Sequence, residues 1–260
     1  MARKVLVTGG SGLIGSKLHS NQFIEYTKLD RKINLLEKNS EKNLLNIARA
    51  NNFDSILHLA WTANSRINYE NDYTNYLWAE KTIKFAELST KFGISFITIG
   101  SGIQFEAWNT TPYVESKRLV EFALSDHLTS HKITCIRIFW VVDIIAMRPR
   151  LIAELFDTQR TTPLVVQFGN TSLDYIFSGD VTTGIEAIIK HDLRGVIELG
   201  SGFLTQNKKL IKYACDINNL QLPSIKYKYK KNGVAANISK LIDTGWKPVE
   251  TIENFSSNLS

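Results

Sequence analysis

The chain has 260 residues, 43% of them hydrophobic, and 31 Lys and Arg against 25 Asp and Glu give a formal charge of +6. That length supplies one substantial core, or one core with a small appended lobe. No run approaches the roughly 18 apolar residues that span a bilayer, so a cytoplasmic enzyme with no membrane or nucleic-acid partner is the expectation.

The basic residues are spread along the chain. The one dense run, Lys226, Lys228, Lys230 and Lys231, alternates with Tyr227 and Tyr229 as one solvated face of a strand does, and lysines on an edge strand guard against edge pairing. Cys135 and Cys215 are isolated in apolar surroundings, without metal-ligand spacing or the density of a disulfide scaffold.

Taken in chain order, apolar runs of strand length alternate with amphipathic segments of helix length, the pattern of a Rossmann-type doubly wound parallel sheet. Strands are expected at 4–8, 26–29, 55–60, 94–99, 133–139 and 196–199, and helices at 12–21, 40–52, 71–92, 112–130 and 178–190. The rhythm weakens after Phe139, where a helix-like 149–159 and a strand-like 164–168 precede its return. The division this implies is a dinucleotide-binding domain of 1–139, to which 174–200 returns, and a small substrate lobe of 140–173 and 201–260.

The first strand ends in Thr8-Gly9-Gly10-Ser11-Gly12-Leu13-Ile14-Gly15, just before a helical pattern. Glycines at 9, 12 and 15 tighten the turn, admit a pyrophosphate to the backbone N–H groups and pack the helix on the strand. Asp30 closes the second strand, where a carboxylate accepts hydrogen bonds from a ribose diol and repels a 2′-phosphate. NAD is therefore the favoured cofactor. Arg31 and Lys32 follow directly and suit a 2′-phosphate, which keeps NADP open.

Thr111-Pro112 reads as an N-cap and a first helical proline, so Tyr113 and Lys117 share one helical face. An ammonium near a phenol favours the phenolate and fits the tyrosine for proton transfer to a carbonyl or from an alcohol. Ser101 stands in Ile99-Gly100-Ser101-Gly102 at the carboxyl end of the fourth strand, where open α/β sheets place their ligands. Its hydroxyl suits a hydrogen bond to the substrate oxygen.

Together these residues resemble the extended short-chain dehydrogenase/reductase family, the NAD-dependent epimerase/dehydratase group that mostly handles nucleotide sugars. The resemblance is carried in family order by TGGSGLIG at 8–15, HLAW at 58–61, Asn75, TPYVESKRLVE at 111–121, Asp174-Tyr175-Ile176, Gly179-Asp180-Val181, LGSG at 199–202 and GWKP at 245–248. It implies that Ser101, Tyr113 and Lys117 are catalytic and that Lys117 also holds the nicotinamide ribose. It further implies that Leu13 and Ile14 of the glycine turn, His58, Leu59, Ala60 and Asn75 lie along the cofactor, and that Asn34 and Leu35 match the pair that touches adenine. Dimerisation through the helices at 71–92 and 112–130 is usual in the family, and Trp78, Phe85 and Phe122 are then seam or core. The short stretch between Asp30 and His58 looks most like the dTDP-4-dehydrorhamnose reductase branch. That points to reduction of a 4-keto nucleotide sugar, with epimerisation as the alternative and a non-catalytic dinucleotide sensor as a third reading.

Several positions depart from the family pattern. Ser101 is followed by Gly102 and Ile103 rather than the Asp-Glu pair of the dehydratases. The loop from Ser101 to Tyr113 is short. Leu173 replaces the arginine that grips the nucleotide diphosphate, and Trp140 and Asp143 stand where Asn and Gly are expected. Arg148, Arg150 and Arg160 are candidate replacements for the lost phosphate contact.

Overall fold

Val5, Leu6 and Val7 are at most 1% exposed, and every residue of Ser55–His58 is buried. Apolar runs without polar alternation belong to strands covered on both faces. The structure, a computed structural model, describes residues 1–62, 69–106, 110–129, 133–143, 152, 165–166, 169–225 and 232–249. Chain contacts divide it into two units, Met1–Arg137 with Ile185–Ile197 and Ile138–Gly184 with Glu198–Ser260. None of the described helices is long and apolar enough to cross a membrane.

The central sheet has six strands. Five are β1 (Arg3–Thr8), β2 (Ile24–Lys28), β3 (Ser55–His58), β4 (Ser95–Ser101) and β5 (Ile133–Ile138), and across the sheet the order is Gly195–Leu199, β5, β4, β3, β1, β2. The pairs β1–β2, β1–β3 and β3–β4 run parallel, with Val5 opposite both Tyr26 and Ser55. The expected Rossmann-type α/β fold is therefore present. Helices α1 (Ser40–Ala50), α2 (Thr74–Lys91) and α3 (Pro112–Ala123) follow the predicted amphipathic segments. Their apolar residues, among them Leu44, Leu45, Trp78, Phe85 and Val120, join Leu6, Ile56 and Phe96 of the sheet, and Leu124 just past the end of α3, in one core. The predicted helix 112–130 is broken at Leu124, and a second short helix, Ser125–Thr129, follows it.

One predicted element fails. The helix expected at 12–21 is a single 3-10 turn, Gly15–Lys17, after which Leu18 is extended. Side chains take the backbone donors that lead into β2: Asn21 Oδ1 accepts from Phe23 and Ile24 N–H, and Ser20 Oγ accepts from Tyr26 N–H. Ser and Asn compete with helical hydrogen bonding in this way. Leu18, 2% exposed, buries in an extended conformation what a longer helix would bury along a stripe.

In the second unit Trp140–Val142 pairs with Tyr175–Phe177, Ser172–Leu173 with Thr205–Gln206, and Val165–Val166 with Ser224–Ile225. The helix Asn207–Ile217 contributes Leu210 and Ala214 to a core with Val142, Tyr175 and Phe177. Asp174, 0% exposed, ties the unit together by accepting from the Ser201 hydroxyl and from the N–H groups of Ser201, Gly202 and Ala236. Asp143 accepts from the Ser178 hydroxyl at 2.6 Å. Leu173 packs on Gly233, whose Cβ, if it had one, would lie 2.9 Å from Leu173 Cδ2. Arg148, Arg150, Arg160, the lysine run at 226–231 and, apart from Ile152, the helix-like 149–159 lie outside the described residues.

Candidate active site

From β1 the chain moves outward to β2 and then returns past β1 to β3. The switch point of this doubly wound order, where ligands bind at the strands' carboxyl ends, lies beyond Thr8 and His58. The three glycines of the turn there do different work. Gly9 has φ +69°, and a Cβ on it would fall 2.6 Å from the Ala60 nitrogen. A Cβ on Gly15 would fall 2.5 Å from the Gly9 carbonyl oxygen, whereas Gly12 has only that same oxygen nearby, at 3.2 Å. The chain's own packing thus demands glycine at 9 and 15, while Gly12 leaves room above the turn. Gly12 N–H closes the turn on Gly9 O at 2.9 Å, and among the described residues the N–H groups of Ser11, Leu13 and Ile14 have no partner. Backbone donors of this kind suit a phosphate.

Beside the turn is a cavity of about 470 Å³ lined by Gly9, Gly10, Ser11, Lys28, Asp30, Arg31, Asn34, Leu35, Ala60 and Trp78. The structure therefore gathers most of the residues expected at the adenosine end. Asp30 Oδ1 accepts from Lys32 N–H at 2.9 Å, so one carboxylate oxygen holds the turn that carries Arg31. Asn34 Oδ1 accepts from Leu36 N–H while its amide donates to Glu37. Leu35 is 6% exposed and joins the core.

His58 lies at the end of β3 with 2% exposure. Its Nδ1 is 2.7 Å from Thr8 Oγ1 and its Nε2 is 3.2 Å from Thr82 Oγ1. Because the Thr82 hydroxyl donates to Trp78 O at 2.7 Å, it accepts from His58, which assigns the proton to Nε2 and leaves Nδ1 to accept from Thr8. Burial, aided by the positive charge of Lys117, pushes the imidazole down to about 3. His58 is a neutral spacer under Leu59 and Ala60, whose N–H groups bond to Thr8 O and Thr8 Oγ1.

On α3 Thr111 is extended and Pro112 opens the helix, so Tyr113 and Lys117 stand one turn apart as expected. Lys117 Nζ lies 5.8 Å from the centroid of the Tyr113 ring. It donates to Ile99 O on β4 at 2.9 Å, which ties the helix to the strand that carries Ser101. Only 5% of Lys117 is exposed, and burial lowers its pKa to about 7. Its ammonium lies 3.3 Å from the centroid of the Trp61 indole. Trp61 Nε1 in turn donates to Asn75 Oδ1 at 2.7 Å, and Asn75 donates to Asp72 O. Asn75, expected beside the cofactor, thus fixes the tryptophan that covers Lys117.

Ser101 N–H donates to Gln104 Oε1 at 2.6 Å, and the Gln104 amide donates to Glu121. Glu121 is paired with Arg137, and Arg118 clasps the carbonyl oxygens of Gln104 and Glu106. The short loop after Ser101 is therefore anchored on α3 and β5.

Sequence reasoning did not single out two residues here, Trp61 and Lys28. A bulky side chain directly after His58-Leu59-Ala60 was the available signal for the first. For the second it was a lysine two positions before Asp30 on an outer strand.

A doubly wound sheet with a glycine turn at its switch point, a neighbouring cavity lined by Asp30, Lys28 and Arg31 and a Tyr–Lys helix face defines a Rossmann-type nucleotide-binding protein. The NAD dependent epimerase/dehydratase family matches residues 5–200; the chain belongs to that family, and its cofactor is accordingly NAD or NADP. No curated protein matches the chain. Among solved structures it is similar to dTDP-4-dehydrorhamnose reductases from Clostridium acetobutylicum and Bacillus anthracis, the latter in complex with NADP. Their TM-scores are 0.76 and 0.75, each at 15% identity, with 98% of this chain and 97% and 96% of theirs covered. A UDP-glucose 4-epimerase from Thermus thermophilus in complex with NAD gives a TM-score of 0.70 at 17% identity, covering 97% of this chain and 99% of that one. At such identities these likenesses speak for the fold.

Proposed function

We propose that the chain reduces a 4-keto-6-deoxy nucleotide sugar to the corresponding alcohol, with Tyr113 as general acid. The observation that carries this reading is the placement of Lys117, buried on Ile99 O and one helical turn from Tyr113. A dinucleotide held at the glycine turn would supply the hydride that such a reduction needs. Tyr113 gives its proton to the carbonyl oxygen, and the negative charge left on the phenol is met by the Lys117 ammonium. Ser101, at the end of β4, donates to the same oxygen and orients it.

The glycine turn fits a dinucleotide, because Gly12 leaves space and Ser11, Leu13 and Ile14 keep N–H groups unused by the fold. Gly9, Gly12, Leu13, Ile14 and Gly15 hold the diphosphate, and Asp30, Arg31, Asn34 and Leu35 hold the adenosine. Leu59, Ala60 and Tyr113 line the path to the nicotinamide, with His58 and Asn75 as supports behind it. Asp30 favours NAD by repelling a 2′-phosphate, and the exposed Arg31 beside it is the residue that suits NADP. Gly102 and Ile103 offer no acid or base, which counts against dehydration.

The test is NADH and NADPH oxidation against a panel of 4-keto nucleotide sugars. Stoichiometric oxidation is expected, and Tyr113→Phe lowers it about 100-fold or more while cofactor binding persists. Turnover with the bound cofactor unchanged replaces this reading with epimerisation. Dinucleotide binding without any turnover replaces it with a sensor.

A homodimer through α2 and α3 belongs to the same proposal. Trp78 and Phe85 are core residues at 9% and 0% exposure, whereas Tyr73, Leu77, Leu119 and Phe122 are exposed at 78%, 38%, 43% and 80%. Light scattering of the wild type and of Phe122→Glu tests it, with a dimer expected for the first and a monomer for the second.

A further inference from the structure

A diphosphate at a glycine turn ordinarily draws on the dipole of the following helix, equivalent to roughly half a positive charge at its N-terminus. In this chain the element that follows is one 3-10 turn, Gly15–Lys17, ending in an extended Leu18. Few peptide dipoles are aligned there.

A full cation lies across the turn instead. Lys28 ends β2, and its stem runs over Gly10: a Cβ on Gly10 would fall 2.7 Å from Lys28 Cβ and 2.8 Å from Lys28 Cγ. The β2 backbone fixes Lys28 Cβ, which cannot swing aside, so Gly10 is the glycine that lets the lysine cross. Lys28 Nζ donates to Ser16 O at 3.2 Å, its one partner among the described residues. Lys28 is exposed and lines the same cavity as Gly9, Gly10, Ser11 and Asp30. Among the described residues no carboxylate pairs with it.

We propose that Lys28 is a phosphate ligand, which holds the diphosphate of the bound dinucleotide over the glycine turn and supplies the charge that the shortened helix does not. The proposal rests on the dinucleotide reading of the turn and adds to it a binding residue from β2. A lysine suits the role because its flexible stem and three donors follow an oxygen cluster without demanding one geometry.

Titration calorimetry with ADP-ribose, adenosine, NADH and NADPH separates the possibilities. Lys28→Met keeps the stem over Gly10 and removes only the charge. It is expected to weaken ADP-ribose and NADH about tenfold or more, the worth of one charge-assisted hydrogen bond, and to leave adenosine unchanged. Lys28→Arg restores binding to within about threefold by the same reasoning. In the wild type the ADP-ribose affinity falls with added salt more steeply than in Lys28→Met, a comparison that does not depend on equal stability. Undiminished ADP-ribose binding by Lys28→Met overturns the proposal. So does an equal loss for adenosine, which marks a structural role, or a loss confined to NADPH, which marks a 2′-phosphate contact. If the wild type binds none of the four, the dinucleotide reading itself falls.

Discussion

The Lys117 ammonium sits 3.3 Å from the centre of the Trp61 indole while donating to the Ile99 carbonyl oxygen at 2.9 Å. The charge is thus held by a carbonyl dipole and an aromatic face, both weaker partners than a carboxylate, in a place that water scarcely reaches. A cation so placed loses more from desolvation than it recovers. Its pKa falls to about 7 for that reason, and the protonation of Lys117 is exposed to control by whatever covers it.

Removing the cover should shift the pH profile. In Trp61→Ala water reaches Nζ, and the lysine pKa climbs back toward its ordinary value of about 10.4. If the reaction needs the Lys117 ammonium, the alkaline limb of kcat/KM for NADH oxidation moves up by about one pH unit or more relative to the wild type. A pH–rate profile of both proteins checks it; coincident limbs would show that Lys117 does not set the limb.

Stability should respond to Lys117 with a definite sign. The folded-state pKa, about 7, lies below the unfolded value, so between about pH 7 and 10.4 the unfolded chain binds the extra proton and wild-type stability rises with pH. Lys117→Met lacks this dependence. Its melting temperature should exceed that of the wild type at pH 7 and below, by about 2–4 °C for each kcal/mol of relieved burial. The advantage shrinks as pH approaches 10. Thermal melts across that range are the measurement.

The glycines should separate folding from binding. Gly9→Ala meets both a positive φ and a backbone atom at 2.6 Å, and is expected to cost about 1–3 kcal/mol or more of stability. Gly12→Ala meets only one oxygen, at 3.2 Å, so its melting temperature stays near the wild-type value. Its Kd for NADH rises about tenfold or more, because the added methyl stands where the diphosphate approaches. Denaturation and calorimetry on the two variants read these effects independently.

The inner strands of the central sheet were legible because β1, β3, β4 and β5 are short apolar runs, whereas the two- and three-residue strands of the second unit carry no such pattern. Ile133–Ile138, for instance, is buried except for part of Arg137, and a β-branched run of that length between turn residues favours a strand. The helix at 12–21 was misread because glycine spacing and the isolated Leu13, Ile14 and Leu18 satisfy a helical period locally. Asn21 and Ser20 spend their side chains on the donors of the next strand, and that competition is invisible until β2 is placed. Asp30 was legible as a residue of the cavity, but its bond to Lys32 N–H is a local turn that spacing alone leaves undecided.

The sequence by itself determined the fold class, the family and the placement of Tyr113 and Lys117 one helical turn apart, because each depends on short-range spacing: strand period, a glycine turn, one turn of helix. Only the tertiary structure decided what surrounds that pair and the turn. Trp61 reaches Lys117 from the end of β3, and Lys28 reaches the glycine turn from β2. Both are contacts between segments far apart in the chain, set by strand order and by the volume left when neighbouring elements close on one another.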